Sequence, residues 1–112
     1  MAVQSVSTTD KVARDFVSQI NRLLPQKVDS DTTLLNAETQ GHVINFNCKL
    51  NRRLEQGDIT KFIQEVKPDI VSKLSANPIT PVLRKYNLTL RYTYRDNTQQ
   101  NQIEITLYPG EY

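Results

Sequence analysis

The chain has 112 residues, with 14 basic and 12 acidic side chains, one Cys, one His and three Gly. That is one domain by length, long enough to bury a core without a metal or disulfide staple. The formal charge of +2 is too balanced to mark a polyanion binder. The supply of Cys, His and Gly leaves most metal, redox and phosphate-loop chemistries without their parts. Asn, Gln, Ser and Thr together number 35, a bias that suits strand-rich surfaces.

The N-terminal residues Met1 to Ser7 show no periodicity and are expected to be loose, with a single folded domain from residue 8 to residue 112. The opening Met1-Ala2-Val3-Gln4 has neither a basic n-region nor an apolar h-region. Two compartments therefore stay open: the periplasm or envelope if a leader has been removed, otherwise the cytoplasm. A lone Cys48 does not choose between them.

A helix is predicted from Thr8-Thr9-Asp10, whose side chains suit the orphan N–H groups and the dipole of a helix start. Val12, Ala13, Phe16, Val17, Ile20, Leu23 and Leu24 form one apolar stripe, and Pro25 ends it. After a polar connector, Thr32 to Glu38 reads as a strand and Thr39-Gln40-Gly41 as a turn. In the next strand Ile44, Phe46, Cys48 and Leu50 share one face, while Asn45, Asn47 and Lys49 share the other. Such alternation predicts one buried and one wet face, the habit of an antiparallel sheet.

Asp58 is expected to cap a second helix running to about Ala76. Ile59, Phe62, Ile63, Val66, Ile70 and Leu74 keep helical phase through Pro68, which predicts one kinked helix rather than two. Pro81 can open a short turn through Tyr86. Leu88, Leu90, Tyr92 and Tyr94, then Ile103, Ile105 and Leu107, alternate with polar residues on either side of the polar loop Asp96 to Asn101, which reads as a hairpin. The order α-β-β-α-(α)-β-β predicts an α+β two-layer sandwich, with two helices on one face of a four-stranded antiparallel sheet.

Val28-Asp29-Ser30-Asp31-Thr32-Thr33-Leu34 resembles a VD-x-x-T-x-L opening. Asn77-Pro78, Leu83 and the run Leu88 to Asp96 resemble an NP…L…L-x-Y-x-Y-x-D closing. With Ile44-Asn45-Phe46, these stretches resemble a family of small bacterial proteins without assigned function, many of them exported or lipoprotein-like. The resemblance implies no catalytic residues. It implies a disulfide between a Cys before the NP pair and another near the C-terminus; here Ser75-Ala76 and Pro109-Gly110 stand in those places.

The remaining candidates read as structural. His42 follows a turn and has no second His beside it. Cys48 lies in the apolar register, where a thiol is inert. Asp29, Asp31 and Glu38 lack the offsets of a calcium loop. No acid–base pair, activated nucleophile or phosphate loop is present, so no enzyme and no cofactor is expected.

Lys49, Arg91, Arg95, Asn45, Asn47 and Tyr108 fall on the wet register and form a candidate interaction face. Only Tyr108 among them could stack a base, so nucleic acid is not the expected ligand. A protein partner is expected instead, reached through this face or through an exposed strand edge, including a second copy of the chain. The sequence thus points to a non-enzymatic binding module, envelope-associated or encoded on a mobile element. A small cytosolic immunity or anti-defence inhibitor and a small-ligand binder are the alternatives. No stretch is long and apolar enough to span a membrane.

Overall fold

A computed structural model describes residues 8–112; the loose tail expected over Met1–Ser7 lies outside the described residues. The chain is α+β, as its patterning predicts, but the sheet is larger than expected. It has five strands in the order β1-β2-β3-β4-β5, formed by Gln26–Lys27, Thr32–Gln40, Val43–Leu50, Thr89–Arg95 and Gln102–Leu107. The helices are α1 (Thr8–Asn21), α2 (Ile59–Ser75) and α3 (Thr80–Lys85).

Two features correct the four-stranded antiparallel expectation. The first is β1, two exposed residues that pair with Leu34 and Thr33. A strand this short carries no alternation, so nothing in the sequence marks it. The second is the β3–β4 pair, which runs parallel, from Val43 opposite Thr89 to Lys49 opposite Arg95. Residues 51–88 carry α2 and α3 and return the chain to the end of the sheet where β3 began. A crossover of this kind is what a parallel pair requires. Side-chain alternation has period two in either direction, so it does not distinguish the two arrangements.

Helix α1 stops at Asn21, one turn short of the Pro25 boundary, and Leu23 is 70% exposed rather than part of the stripe. Asn21 has another role. Its Oδ1 accepts from Ala37 N at 2.8 Å and its Nδ2 donates to Ala37 O at 2.9 Å. The pairing of β2 with β3 slips between Leu34 and Asn36, and β1 reaches only as far as Leu34. Beyond that point the Asn21 amide supplies the donor and acceptor that a neighbouring strand would otherwise provide. Phe16 packs edge-on against Phe46 at 6.4 Å and joins α1 to β3.

Helix α2 runs unbroken through Pro68, within a residue of the expected limits at each end. Asp58 does not cap it by a side-chain bond. Its carboxylate accepts from Glu55 N at 3.3 Å and closes a 3-10 turn at Gln56–Asp58 instead. The NP pair makes the joint to α3. Asn77 Oδ1 accepts from Ile79 N at 3.0 Å, and the buried Thr80 hydroxyl donates to Leu74 O at 2.6 Å, joining the Ala76 and Asn77 N–H groups on that carbonyl at the end of α2.

The core lies between the helices and one face of the sheet. Ile44, Phe46, Cys48 and Leu50 alternate into it from β3, Leu90 and Tyr94 from β4, and Ile103, Ile105 and Leu107 from β5. Each large aliphatic or aromatic side chain buried there contributes about 1.5–3 kcal/mol.

Candidate functional site

Helix α1 packs on β2 and β3, while α2 reaches across to β5. Between α2 and the β1–β2 connector a strip of the core-facing sheet surface stays open as a groove of about 520 Å³. One wall is the α2 face carrying Phe62, Val66, Ile70 and Leu74. The other is Val28, Thr32 and Leu34, and the floor is Cys48, Tyr92 and Tyr94. The wall residues on α2 recur at four-residue spacing, so a single helical stripe serves both core and groove. Val28, at the open end, is 45% exposed.

The floor is rigid. Tyr92 stacks on Phe46 at 4.7 Å, the Tyr94 ring meets Phe62 edge-on at 5.1 Å, and the two tyrosines lie 6.5 Å apart. Burial, with the charge of Asp29 adding to it, pushes the Cys48 thiol up to about 12. The thiol is therefore protonated at neutral pH and is no nucleophile. Burial also holds the hydroxyls of Tyr92 and Tyr94 well above the usual tyrosine range. The groove offers apolar contact area, with the charged side chains of Asp29, Glu65, Asp69 and Lys73 also lining it.

The opposite face of the sheet carries the candidate interaction residues. Glu38, Asn45 and Arg91 lie across from one another in adjacent strands, as do Asn36, Asn47, Thr93 and Glu104, and as do Thr33, Lys49, Arg95 and Gln102. Asn45 is the hub. Its Oδ1 accepts from Arg91 Nε at 2.8 Å and from Thr93 Oγ1 at 3.0 Å, and its Nδ2 donates to Asn47 Oδ1 at 2.9 Å. Asn47 in turn donates to Asn36 and Glu38. Arg95 Nε donates to Gln102 Oε1 at 3.1 Å. These bonds line a shallow polar hollow of about 390 Å³. Tyr108 stands just past the end of β5, 59% exposed.

The other sequence candidates do not assemble. His42 Nε2 lies 3.6 Å from Asp10 Oδ1, so the β2–β3 turn touches the first turn of α1. Asp29 Oδ1 accepts from Asp31 N at 2.8 Å, a local turn, and Glu38 serves the polar face. Among the described residues no group of three His, Cys, Asp or Glu side chains is placed to hold a metal ion.

Sequence reasoning missed the groove. It places Cys48, Tyr92, Tyr94, Phe62 and Val66 in the core, and an apolar residue lining a groove carries the same periodic signature as one fully enclosed. The available signal was on α2, where Glu65 and Asp69 sit beside the apolar stripe instead of opposite it.

No family model matches the sequence, and no curated protein matches it. Solved structures do share the fold. The type II secretion system pilotin AspS from Vibrio cholerae superposes with a TM-score of 0.71 at 16% identity, covering 93% of this chain and 92% of that one. The pilotin EpsS of the Vibrio vulnificus type 2 secretion system gives 0.73 at 15% identity, over 92% and 90% of the two chains. A protein of Pseudomonas aeruginosa classed as secreted gives 0.71 at 11% identity, over 96% and 98%. At these identities the likeness is one of fold. The chain is a small single-domain α+β protein with the architecture of these bacterial proteins.

Proposed function

We propose that this chain is a non-enzymatic protein-binding module of the bacterial envelope. It seats an apolar segment of its protein partner in the groove between α2 and the sheet. The groove carries this reading: it is open, lined by Val28, Leu34, Val66 and Ile70, and floored by rigid aromatics. Concave apolar sites with few polar groups are where binding energy concentrates. The shared fold with two secretion-system pilotins and a secreted protein supports both the partner class and the compartment.

The test is photocrosslinking in the native host. A photoreactive residue at Val66 should give one discrete protein adduct, and Val66→Arg, which puts a charge in the groove mouth, should weaken partner binding by a factor of ten or more, about 1.4 kcal/mol or above. Circular dichroism of Val66→Arg should match the parent. Val66 positions that yield no protein adduct would retire the reading and leave a small apolar ligand as the occupant.

One observation favours a second reading, docking on the polar sheet face. Lys49, Arg91 and Arg95 are concentrated there, and none of them forms an ion pair among the described residues. Arg91→Glu with Arg95→Glu keeps the fold, because both side chains stand on the wet register. If the partner docks on this face, that double variant loses it in a pull-down while Val66→Arg retains it. The groove reading expects the reverse.

A further inference from the structure

We infer that the outer edge of β5 is an interface for a second copy of this chain, joined by antiparallel strand pairing about a two-fold axis. The backbone parity of the sheet locates the free groups. Asp96 N donates to Asn101 O at 3.1 Å, so that pair is of the hydrogen-bonded kind. Tyr94–Ile103, Tyr92–Ile105 and Leu90–Leu107 follow it at two-residue steps. Gln102, Glu104 and Thr106 therefore turn their backbone N–H and C=O groups outward, and none of these groups has a partner among the described residues.

The two edges of the sheet differ. At the β2 edge, β1 pairs with Thr33 and Leu34, the Asn21 amide takes both backbone groups of Ala37, and the register slips between Leu34 and Asn36. Each of these blocks strand addition. Along β5 the cover comes only past its end, where Tyr108 N donates to Glu111 Oε1 at 3.0 Å and Lys67 holds that carboxylate at 2.8 Å. From Gln102 to Leu107 there is no Pro, Gly, bulge or inward-pointing charge. The strand is also complementary to itself. With Ile105 opposite Ile105, Glu104 faces Thr106 and Ile103 faces Leu107 in both directions. The outward groups of Glu104 and Thr106 then exchange both of their hydrogen bonds across the axis. Apolar side chains meet apolar ones on the core side, and no like charges stand directly opposite. A register centred on Glu104 would set two carboxylates face to face, and one centred on Ile103 would oppose Ile105 with Asn101, so the alignment is fixed.

Sedimentation equilibrium and amide hydrogen exchange test this. The mass should climb with concentration from 12.9 kDa toward twice that value, and the Glu104 and Thr106 amides should exchange more slowly as it does. Glu104→Pro removes an outward donor at a position where an edge strand accepts proline. It should keep the circular dichroism of the parent and weaken self-association by about tenfold or more. Glu104→Gln keeps the donor and should associate as the parent does. Ile103→Pro removes a donor to β4 instead and should lower the thermal midpoint sharply. A mass of 12.9 kDa at every concentration, with both amides exchanging freely, would overturn the interface. So would a dimer that persists in folded Glu104→Pro. An unfolded Glu104→Pro beside a folded Ile103→Pro would show that the strand turns its other residues outward.

Discussion

Asp96→Ala should destabilise the molecule more than any change on the polar face, lowering the thermal midpoint by on the order of 10 °C. The hairpin loop Asp96–Asn101 looks like a solvated connector, yet Asp96 is 1% exposed. Its Oδ1 accepts from Thr98 Oγ1 at 2.6 Å and Thr98 N at 3.1 Å, and its Oδ2 accepts from Asn101 Nδ2 at 2.8 Å and Leu54 N at 3.0 Å. Asn101 returns a bond to Leu54 O at 3.1 Å. One carboxylate thus ties the β4–β5 loop to the buried Leu54, just ahead of α2. Removing it leaves the buried Leu54 N–H and the partly buried donors of Thr98 and Asn101 without their acceptor at once, and an unmet buried donor costs more than its bond contributes.

The same site sets an acid limit. Burial alone would push the Asp96 carboxyl up, but the donors from Thr98, Leu54 and Asn101 outweigh it and hold the group well below the usual carboxylate range. A depressed native value means that the stabilisation is complete above the unfolded value of about 3.9 and is lost as pH falls below it. Asp96→Asn keeps one acceptor oxygen and loses the charge. It should fall between the parent and Asp96→Ala in midpoint, and its acid limb should be shallower. Thermal melts from pH 7 downward read both effects. An Asp96→Ala protein that melts with the parent would show that the loop, and not its carboxylate, holds the hairpin to Leu54.

What the sequence made legible was burial. The stripe Val12, Phe16, Val17, Ile20 and the series Ile44, Phe46, Cys48, Leu50 repeat at 3.6 and 2 residues because one side of each element meets the core, and those assignments agree with the observed faces. Even Pro68 obeyed the phase of its neighbours. Strand direction was not legible, since β3 and β4 would alternate alike in either sense. Nor was β1, which is too short to have a period. Asp96 was hidden for a different reason: its partners Leu54, Thr98 and Asn101 come together only after the hairpin closes against the segment before α2. The polar register containing Asn45, Asn47, Arg91 and Arg95 could be read off the strands, whereas the groove depends on how far from the β1–β2 connector α2 settles over the sheet.

Raising the pH should weaken the fold earlier than its net charge suggests, and the groove floor is the cause. Cys48 is pushed up to about 12 by burial and by the nearby Asp29 carboxylate. Tyr92 and Tyr94 are raised by burial first and then by the negative charge Cys48 would carry if ionised. In the unfolded chain these groups ionise near their ordinary values, about 8.5 for Cys and about 10 for Tyr. Groups with raised native values stabilise fully below the unfolded value, and that stabilisation is lost as pH climbs toward the native one. The window for Cys48 therefore opens near pH 8.5 and closes near 12, a span worth ~5 kcal/mol at 1.36 kcal/mol for each pH unit. Urea midpoints measured from pH 7 to about 11 should fall steadily, with thiol labelling of the native protein slow throughout. Cys48→Ala should flatten the early part of that decline and leave the tyrosine part above about pH 10 intact. A midpoint that stays level to pH 10 in the parent, together with rapid labelling of Cys48, would mean that the floor of the groove is open to water and that its rings are not packed as described.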